Sequence, residues 1–316
     1  MRPTYTRDEA RYTMPLASML LMAALAAIWG ASYLFIKLIL ADLGPLALNT
    51  VRCLIGALVL WAVVLYRRET LPRHWRVWAT LALVGAVGIV VPFSAIAWGT
   101  QYIPSGMSAI LAAVMPIFTY LIVLLIGAER LTARRALGIL VGFGGIVVLV
   151  LPELDGAGGR LALLGELAIV GASVSYAFSI TLARYRLQSV PSIFIATGQV
   201  SWALVFFIPL ALLEGLPARL PGLASAASLL VLGGLGTGVA YLIYYKLMRD
   251  IGVTATSLVS YLIPAVGVFW GWAVLGERLH WTAFVALALV ILGMVLVNSR
   301  TSATTAPLAR RLARER

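Results

Sequence analysis

Long apolar segments, separated by short polar connections, follow one another along most of this 316-residue chain. A helix needs about 20 apolar residues to cross the hydrocarbon core of a bilayer. The segments that reach this length are 15–40, 47–66, 76–98, 104–126, 134–151, 161–183, 191–213, 223–247, 253–275 and 280–298. Because backbone in lipid must satisfy its own hydrogen bonds, the pattern predicts an all-α integral membrane protein with ten transmembrane helices.

The composition agrees with a membrane protein and disagrees with a soluble one. Charged residues make up 11% of the chain and hydrophobic residues 62%, whereas a soluble domain carries about 25% charged residues. A chain with so few charges cannot cover its surface with polar groups, so lipid is its expected partner. The first apolar segment is long enough to span the bilayer, and we expect it to be a membrane helix rather than a cleaved signal peptide.

The chain has a net charge of +12, and the positions of its basic residues indicate its orientation in the membrane. Most basic residues fall in alternate connections and in the two tails, 1–14 and 299–316, whereas the other connections carry only Arg160, Arg219 and Arg278. The positive-inside rule then predicts a multi-pass protein of the cell (inner or plasma) membrane with both termini in the cytoplasm. Topology accounts for the basic residues, so we expect no nucleic-acid partner.

The two halves of the chain, 15–151 and 161–298, contain the same landmarks in the same order. One constant offset aligns Pro116 with Pro264, Glu129-Arg130-Leu131 with Glu277-Arg278-Leu279, and Gly145 with Gly293. Each half contains five predicted helices, and an odd number means that the second half enters the membrane from the opposite side. Inverted repeats are typical of secondary transporters, in which two halves exchange conformations. We therefore predict two inverted five-helix repeats around a central cavity.

Several motifs resemble those of the EamA family in the drug/metabolite transporter superfamily. They are WGASYLFIK (Trp29–Lys37), Pro45 followed by Arg52, AWGTQYIPSGMSAILAAVMP (Ala97–Pro116) and the two Glu-Arg-Leu sequences. The resemblance covers nearly the whole chain and implies a ten-helix transporter of small molecules, often an exporter of metabolites or amino acids, for which a monomer suffices. The second half departs from the motifs, because Ala172-Ser173 replaces Trp-Gly and Gln199 falls near the place of a matching arginine.

The repeated prolines and Glu-Arg pairs each allow two interpretations. Proline removes a backbone hydrogen bond and kinks a helix, so Pro116 and Pro264 are predicted hinges, or else static kinks that aid packing. The Glu-Arg pairs either end a helix in a charged loop or form a gating salt bridge.

Three charged residues lie within or near predicted spans, where charges are costly and suggest function. Lys37 either reaches the headgroups or serves the transport pathway. Arg52, about one turn into its span, could also reach the headgroups, but we expect it to face the bundle or an outer vestibule. There it would either hold the connection between the first two helices in place or attract an anionic group. Glu166 is the only carboxylate expected inside the membrane. Either Glu166 carries ion coupling, or the protein is a facilitator or exchanger, which we favour.

Polar and aromatic side chains at helical spacing are the candidates for lining the cavity. They are Trp29, Tyr33, Ser94, Trp98, Ser108, Tyr176, Ser179, Tyr241, Tyr244 and Tyr261. A phenol hydroxyl in hydrocarbon needs a partner, which favours a polar pathway for the tyrosines. The competing interpretation is that the serines pack helices together and the aromatic residues lie at the membrane interfaces.

The sequence lacks the residues that an intramembrane enzyme would need. His74 and His280 lie in connections, and the sole cysteine, Cys53, lies in an apolar segment. We therefore expect no catalytic residue, metal site or cofactor. The resemblance makes amino acids or similar metabolites, moved out of the cytoplasm, the leading substrates. The main alternative is efflux of drugs or organic cations, and nucleotide-sugar exchange is less favoured, because only Lys37 and Arg52 could serve phosphates.

Overall fold

A computed structural model describes residues 15–154, 159–215, 217, 219–251 and 255–298. Within these residues the chain is helical and contains no strand. Nine of the described helices are long and apolar enough to cross a membrane, and Val259–Leu275 is a shorter apolar helix. The prediction of an all-α membrane protein is confirmed. The predictions for the tails 1–14 and 299–316 lie outside the described residues.

Ten helices follow in order, and we number them α1 to α10. They are α1 (Leu16–Ile39), α2 (Pro45–Tyr66), α3 (Trp75–Thr100), α4 (Ser105–Leu125), α5 (Ala133–Leu154), α6 (Gly159–Arg186), α7 (Ser192–Glu214), α8 (Leu223–Asp250), α9 (Val259–Leu275) and α10 (Trp281–Asn298). Helices α1–α5 form the first half and α6–α10 the second. Since each half has five, equivalent helices run in opposite directions.

Two helices at equivalent positions contain π-helical turns. The segment Ala86–Val90 interrupts α3, and Val231–Val239 interrupts α8. The latter, VLGGLGTGV, is rich in glycine, which lets other backbones come close. A π-helical turn is wider than an α-helical turn and is often found at functional sites.

The two repeated prolines lie in different local structures. Helix α4 consists of two segments, Ser105–Ala112 and Met115–Leu125, and Pro116 stands at the start of the second. The missing N–H of Pro116 cannot bond to the carbonyl of Ala112, which accounts for an interruption at this point. Pro264, by contrast, lies inside the uninterrupted helix Val259–Leu275.

The two halves pack mainly against each other. Helix α1 packs on α9, α2 on α7 and α8, α3 on α6, and α5 on α10. The last pair meets through glycines: a methyl group on Gly293 would lie 2.7 Å from the carbonyl oxygen of Gly138. Such close helix contacts through small residues are common in membranes, where packing replaces the hydrophobic effect. The centre of the bundle is therefore built by both halves.

Candidate functional site

The side chain of Arg52 is buried in the bundle, with 6% of its surface exposed. Its Nε donates a hydrogen bond to the hydroxyl of Thr237, 3.0 Å away, in the π-helical segment of α8. Its guanidinium carbon lies 3.8 Å from the centroid of the Phe93 ring on α3, within the range of a cation–π interaction. These contacts hold Arg52 between the two halves.

Glycines allow α2 and α8 to approach closely enough for this contact. A methyl group on Gly56 would lie 2.7 Å from Cγ2 of Thr237, and one on Gly233 would lie 3.0 Å from the carbonyl oxygen of Arg52. A larger residue at either position would force the helices apart. The glycine-rich sequence of α8 therefore positions Thr237 beside Arg52.

Three tyrosines surround Arg52 within electrostatic range: Tyr33 on α1, Tyr176 on α6 and Tyr241 on α8. The rings of Phe93 and Tyr176 meet edge to face, with centroids 6.4 Å apart. We call Tyr33, Arg52, Phe93, Tyr176 and Tyr241 the Arg52 cluster. Its members come from five helices and from both halves of the chain.

Two further predicted residues extend this aromatic surface. The ring centroid of Trp29 lies 6.4 Å from that of Tyr241 and 5.4 Å from that of Tyr244. The indole nitrogen of Trp29 donates to the carbonyl of Gly236 in the π-helical segment, at 3.2 Å. The structure thus brings together five of the ten predicted cavity residues, together with Arg52. Sequence reasoning did not include Phe93 or Thr237.

No carboxylate balances the charge of Arg52 within the part of the chain that the structure describes. The ion pairs there are Glu129–Arg135, Lys246–Asp250 and Arg249–Asp250. Among the same residues, the guanidinium makes one hydrogen bond, through Nε. A buried charge without a counter-ion is costly, whereas a guanidinium can bind a carboxylate through two parallel hydrogen bonds. The cluster is therefore suited to an anionic group.

Asn49, which the sequence analysis did not single out, is a second polar group at this place. Its side chain is fully buried, and Nδ2 donates to the carbonyls of Pro45 and Phe93 at 2.9 and 3.0 Å. These two acceptors fix the orientation of the amide. Its Oδ1 has no hydrogen-bond partner among the described residues. Asn49 and Arg52, three positions apart on α2, lie on one face of the helix.

Ser94 and Trp98 lie away from the Arg52 cluster. They line a cavity of about 660 Å³ together with Gln101, Leu46 and Glu214, and no residue of the Arg52 cluster lines it. This cavity lies between α2, α3 and the end of α7. Its lining includes an indole ring and a carboxylate, so its chemistry differs from that around Arg52.

The remaining polar candidates make contacts between helices. The Ser179 hydroxyl donates to the carbonyl of Val84 at 3.2 Å, and the hydroxyls of Ser108 and Thr100 lie 3.0 Å apart. The phenol of Tyr261 donates to the carbonyl of Met294 at 3.2 Å. For Ser108 and Ser179 these contacts agree with the packing interpretation, and Tyr261 joins α9 to α10 in the same way.

The two other charged candidates also lie outside the cluster. The ammonium of Lys37 donates to the carbonyls of Thr100 and Ile103, at 2.6 and 2.9 Å. It thus caps the C-terminal end of α3, where a cation is favoured by the helix dipole. Glu166 is fully buried on α6, next to Gly165, which packs against Gly99 of α3.

The chain matches a known family in both halves. The EamA-like transporter family matches residues 16–151 and again residues 163–299. The chain belongs to this family. The double match agrees with the predicted repeat, and the family assignment made from the motifs is confirmed.

Similar proteins align with most of the residues of this chain. An "Uncharacterized transporter YoaV" of Bacillus subtilis (strain 168) is 22% identical over 282 residues, which is 88% of this chain and 95% of that protein. An "Uncharacterized inner membrane transporter YedA" of Escherichia coli (strain K12) is 27% identical, covering 87% of this chain and 88% of that protein. A "Probable terminal-alkyne amino-acid exporter" of Streptantibioticus cattleyicolor is 28% identical over 232 residues, 70% of this chain and 73% of that protein.

A solved structure has the same fold. It superposes with a TM-score of 0.64 at 20% identity, covering 89% of this chain and 96% of that chain. Together, the helical bundle, the family match and the relatives identify a multi-pass membrane transporter of the EamA family. The names of these relatives describe transport and not catalysis.

Proposed function

We propose that this transporter moves amino acids or similar metabolites that bear a carboxylate out of the cytoplasm by alternating access. The observation that carries the proposal is the buried Arg52, which lies between the two halves without a carboxylate partner among the described residues. An anionic substrate group would supply the missing counter-charge and accept hydrogen bonds from Nη1 and Nη2.

The surroundings of Arg52 favour a zwitterion with an apolar side chain. The unpartnered Oδ1 of Asn49 can accept a hydrogen bond from a substrate ammonium group. The rings of Phe93, Tyr176 and Tyr241 offer apolar surface, and aromatic faces also attract cations. The direction of transport, export, is supported by the relative whose name is that of a probable amino-acid exporter.

A second candidate is export of organic cations through the cavity lined by Trp98 and Glu214. An indole ring beside a carboxylate is suited to a lipophilic cation. In this structure, however, the Glu214 carboxylate accepts hydrogen bonds from the amides of Leu46 and Ala47. Those hydrogen bonds already stabilise the negative charge of Glu214, so we favour the Arg52 cluster as the substrate site.

The test is counterflow in proteoliposomes with a panel of labelled amino acids. Arg52→Gln is expected to reduce exchange by about 10- to 100-fold, because a hydrogen bond to a charged group contributes about 1.5–3 kcal/mol. Arg52→Lys keeps the charge but not the paired donors, and should retain part of the activity. Arg67→Gln, at an exposed arginine at the other end of α2, is the matched control.

Two outcomes would overturn the proposal. Full exchange by Arg52→Gln would remove Arg52 from the substrate site. Exchange of organic cations but not of amino acids, sensitive to Glu214→Gln, would favour the second candidate. A pH gradient distinguishes the mechanisms: as a facilitator or exchanger, the protein should ignore it, whereas acceleration that is lost in Glu166→Gln would assign coupling to Glu166.

The proposed topology places both termini in the cytoplasm, and one chain suffices for transport. Ser302→Cys, in a Cys53→Ala background, is expected to react with a membrane-impermeant maleimide only after the cells are broken. Arg219→Cys, in a connection predicted to be external, should react in intact cells. Reaction of Ser302→Cys in intact cells would reverse the orientation.

A further inference from the structure

Two carboxylates of the second half cap the starts of two helices in the first half. Oε1 of Glu277 accepts a hydrogen bond from the amide of Ser105 at 2.8 Å, and Oε2 accepts from the Ser105 hydroxyl at 3.0 Å. The carboxylate of Glu214 accepts from the amides of Leu46 and Ala47 at 2.9 to 3.1 Å. Glu277 thereby joins the end of α9 to the start of α4, and Glu214 joins the end of α7 to the start of α2. Each cap satisfies free amides at a helix N-terminus and places negative charge where the dipole favours it.

Both caps lie at the same face of the bundle, where α1, α3, α7 and α9 end and α2, α4 and α8 begin. We call it the capped face; it is external in the predicted topology. Lys37, which holds the end of α3, lies within electrostatic range of Glu277. A third carboxylate, Asp42, accepts from the amide of Gly222 at 2.9 Å at the start of α8. Contacts between the two halves thus hold helix ends together at this face.

The sequence repeats the two capping glutamates in the first half. Glu129 matches Glu277 in the two Glu-Arg-Leu sequences. Glu69 matches Glu214, because Glu69-Thr70-Leu71-Pro72 corresponds to Glu214-Gly215-Leu216-Pro217. Since the halves are inverted, Glu69 and Glu129 lie at the opposite face of the bundle.

At that opposite face the matching glutamates make different contacts. Glu129 forms an ion pair with Arg135, six positions along its own half. Glu69 is exposed to solvent. At the start of α7, which corresponds to the capped start of α2, the amides of Phe194 and Ile195 donate to the backbone carbonyl of Pro191, and among the described residues no carboxylate accepts from the amides of Ser192 or Ile193. At the capped face, therefore, Glu277 and Glu214 accept hydrogen bonds from helices of the other half. At the opposite face, the matching Glu129 and Glu69 do not make such contacts among the described residues.

We infer that Glu277 and Glu214 latch the capped face closed, and that Glu129 and Glu69 form the equivalent caps at the opposite face in the other state of the transport cycle. In an inverted-repeat transporter each half adopts the conformation of the other when access alternates. Contacts made by one member of a repeated pair in one state are then made by its counterpart in the other. The inference does not depend on which substrate is carried.

The chain provides a control of the same chemistry. Asp42 also caps a helix of the other half at the capped face. Aligning Pro45 with Pro191 places Gln188, not an acid, opposite Asp42. Asp42 therefore lacks an acidic counterpart and is assigned a static role that does not exchange.

The experiment measures distances between pairs of spin labels in the full-length protein with Cys53→Ala, reconstituted in lipid. Tyr102→Cys and His280→Cys, both exposed, report on the capped face between the α3–α4 connection and the α9–α10 connection. Arg130→Cys and Arg249→Cys, also exposed, report on the opposite face. Glu277→Gln, Glu214→Gln, Glu129→Gln, Glu69→Gln and Asp42→Asn are compared in each background.

Glu277→Gln and Glu214→Gln are expected to increase the fraction of molecules in which the two spin labels at the capped face lie far apart. The distance between the labels at the opposite face should become shorter in the same molecules. Loss of a charge-assisted cap should change the ratio of the two states by about tenfold. Glu129→Gln and Glu69→Gln should shift the same ratio the other way, and Asp42→Asn should leave it unchanged. The double variant Glu277→Gln/Glu129→Gln should return the distances to those of the parent.

The inference is overturned if Gln variants of the two halves shift the distances in the same direction, or if none shifts them. A shift in Asp42→Asn equal to that in Glu277→Gln would also contradict it, because the caps would then act only as general supports. A variant that fails to fold loses its distance peaks at both faces, and Glu214→Gln then provides an independent measurement on the same face as Glu277.

Discussion

The Nε of Arg52 and the hydroxyl of Thr237 lie 3.0 Å apart and join the two halves of the transporter at its centre. Thr237 also donates to the carbonyl of Leu232 at 3.3 Å. The hydroxyl thus acts as acceptor for the arginine and as donor within the π-helical segment. These two hydrogen bonds fix the position of the Arg52 guanidinium, which has no counter-ion among the described residues.

Thr237→Val is expected to weaken substrate binding without preventing folding, because valine has nearly the same shape as threonine. Loss of an acceptor for a buried charged donor costs about 1.5–3 kcal/mol, so the KM for counterflow should rise about tenfold or more. The control is Thr197→Val, because the Thr197 hydroxyl, among the described residues, bonds only to the Ile193 carbonyl of its own helix. An unchanged KM in Thr237→Val would show that Arg52 does not need this contact.

Phe93→Leu is expected to lower the affinity for the substrate by a smaller amount. The ring lies 3.8 Å from the guanidinium carbon, and a cation–π contact contributes about 0.5–2 kcal/mol. Phe93→Tyr keeps the aromatic face and should bind substrate like the parent protein. Equal affinities of Phe93→Leu and Phe93→Tyr, measured by isothermal titration in detergent, would contradict a role for the ring.

Gly293→Ala is expected to destabilise the protein by separating α5 from α10. The added methyl group would lie 2.7 Å from the Gly138 carbonyl oxygen and from Cα of Gly142. Overpacking of this kind costs about 1–3 kcal/mol, which should appear as a lower midpoint of thermal unfolding in detergent. Gly144→Ala is the control, since among the described residues no atom outside the adjoining backbone of α5 lies within 4 Å of its added methyl group. Equal midpoints for the two variants would show that α10 can move to make room.

Because of Asp42, at the capped face, the stability of the folded protein is expected to depend on pH. The Ser225 hydroxyl and the Gly222 amide donate to the Asp42 carboxylate and hold its pKa below the ordinary value of 3.8. Because the folded pKa is lowered, the stabilisation is present above the unfolded pKa and is lost as the pH falls through the folded one. The parent should therefore unfold at a higher temperature than Asp42→Ala at pH 6, with the difference narrowing below about pH 4. A difference that widens in acid would contradict this assignment.

The helices were the most predictable part of the structure, because a segment that crosses lipid must be both long and apolar. All ten predicted segments overlap a described helix. The interruptions inside these segments were less visible. Pro116 signalled the break in α4, whereas nothing in the apolar periodicity marked the π-helical turns at Ala86–Val90 and Val231–Val239.

The site was predictable in part, because spacing along one helix indicates which residues share a face but not which helix lies opposite. Arg52, Tyr33, Tyr176 and Tyr241 could be selected from the cost of placing them in lipid. Their convergence could not, since Thr237 reaches Arg52 from the other half of the chain. Ser94 and Trp98 share a helix with Phe93 yet line a cavity that Phe93 does not line. The amide of Asn49, one turn before Arg52, was a signal that could have been used.

The π-helical turn of α8 also sets the rotational phase of the residues that follow it. A residue in an α-helix turns the chain by about 100°, and a π-helical turn takes up one residue more than an α-helical turn. If Val231–Val239 were a regular α-helix with the same number of residues, it would turn the chain further, and Tyr241 would point away from Arg52. Removal of one residue together with a return to α-helical geometry would compensate and largely restore the direction of Tyr241. The helical geometry of this segment, as much as its composition, therefore determines which side chains face Arg52.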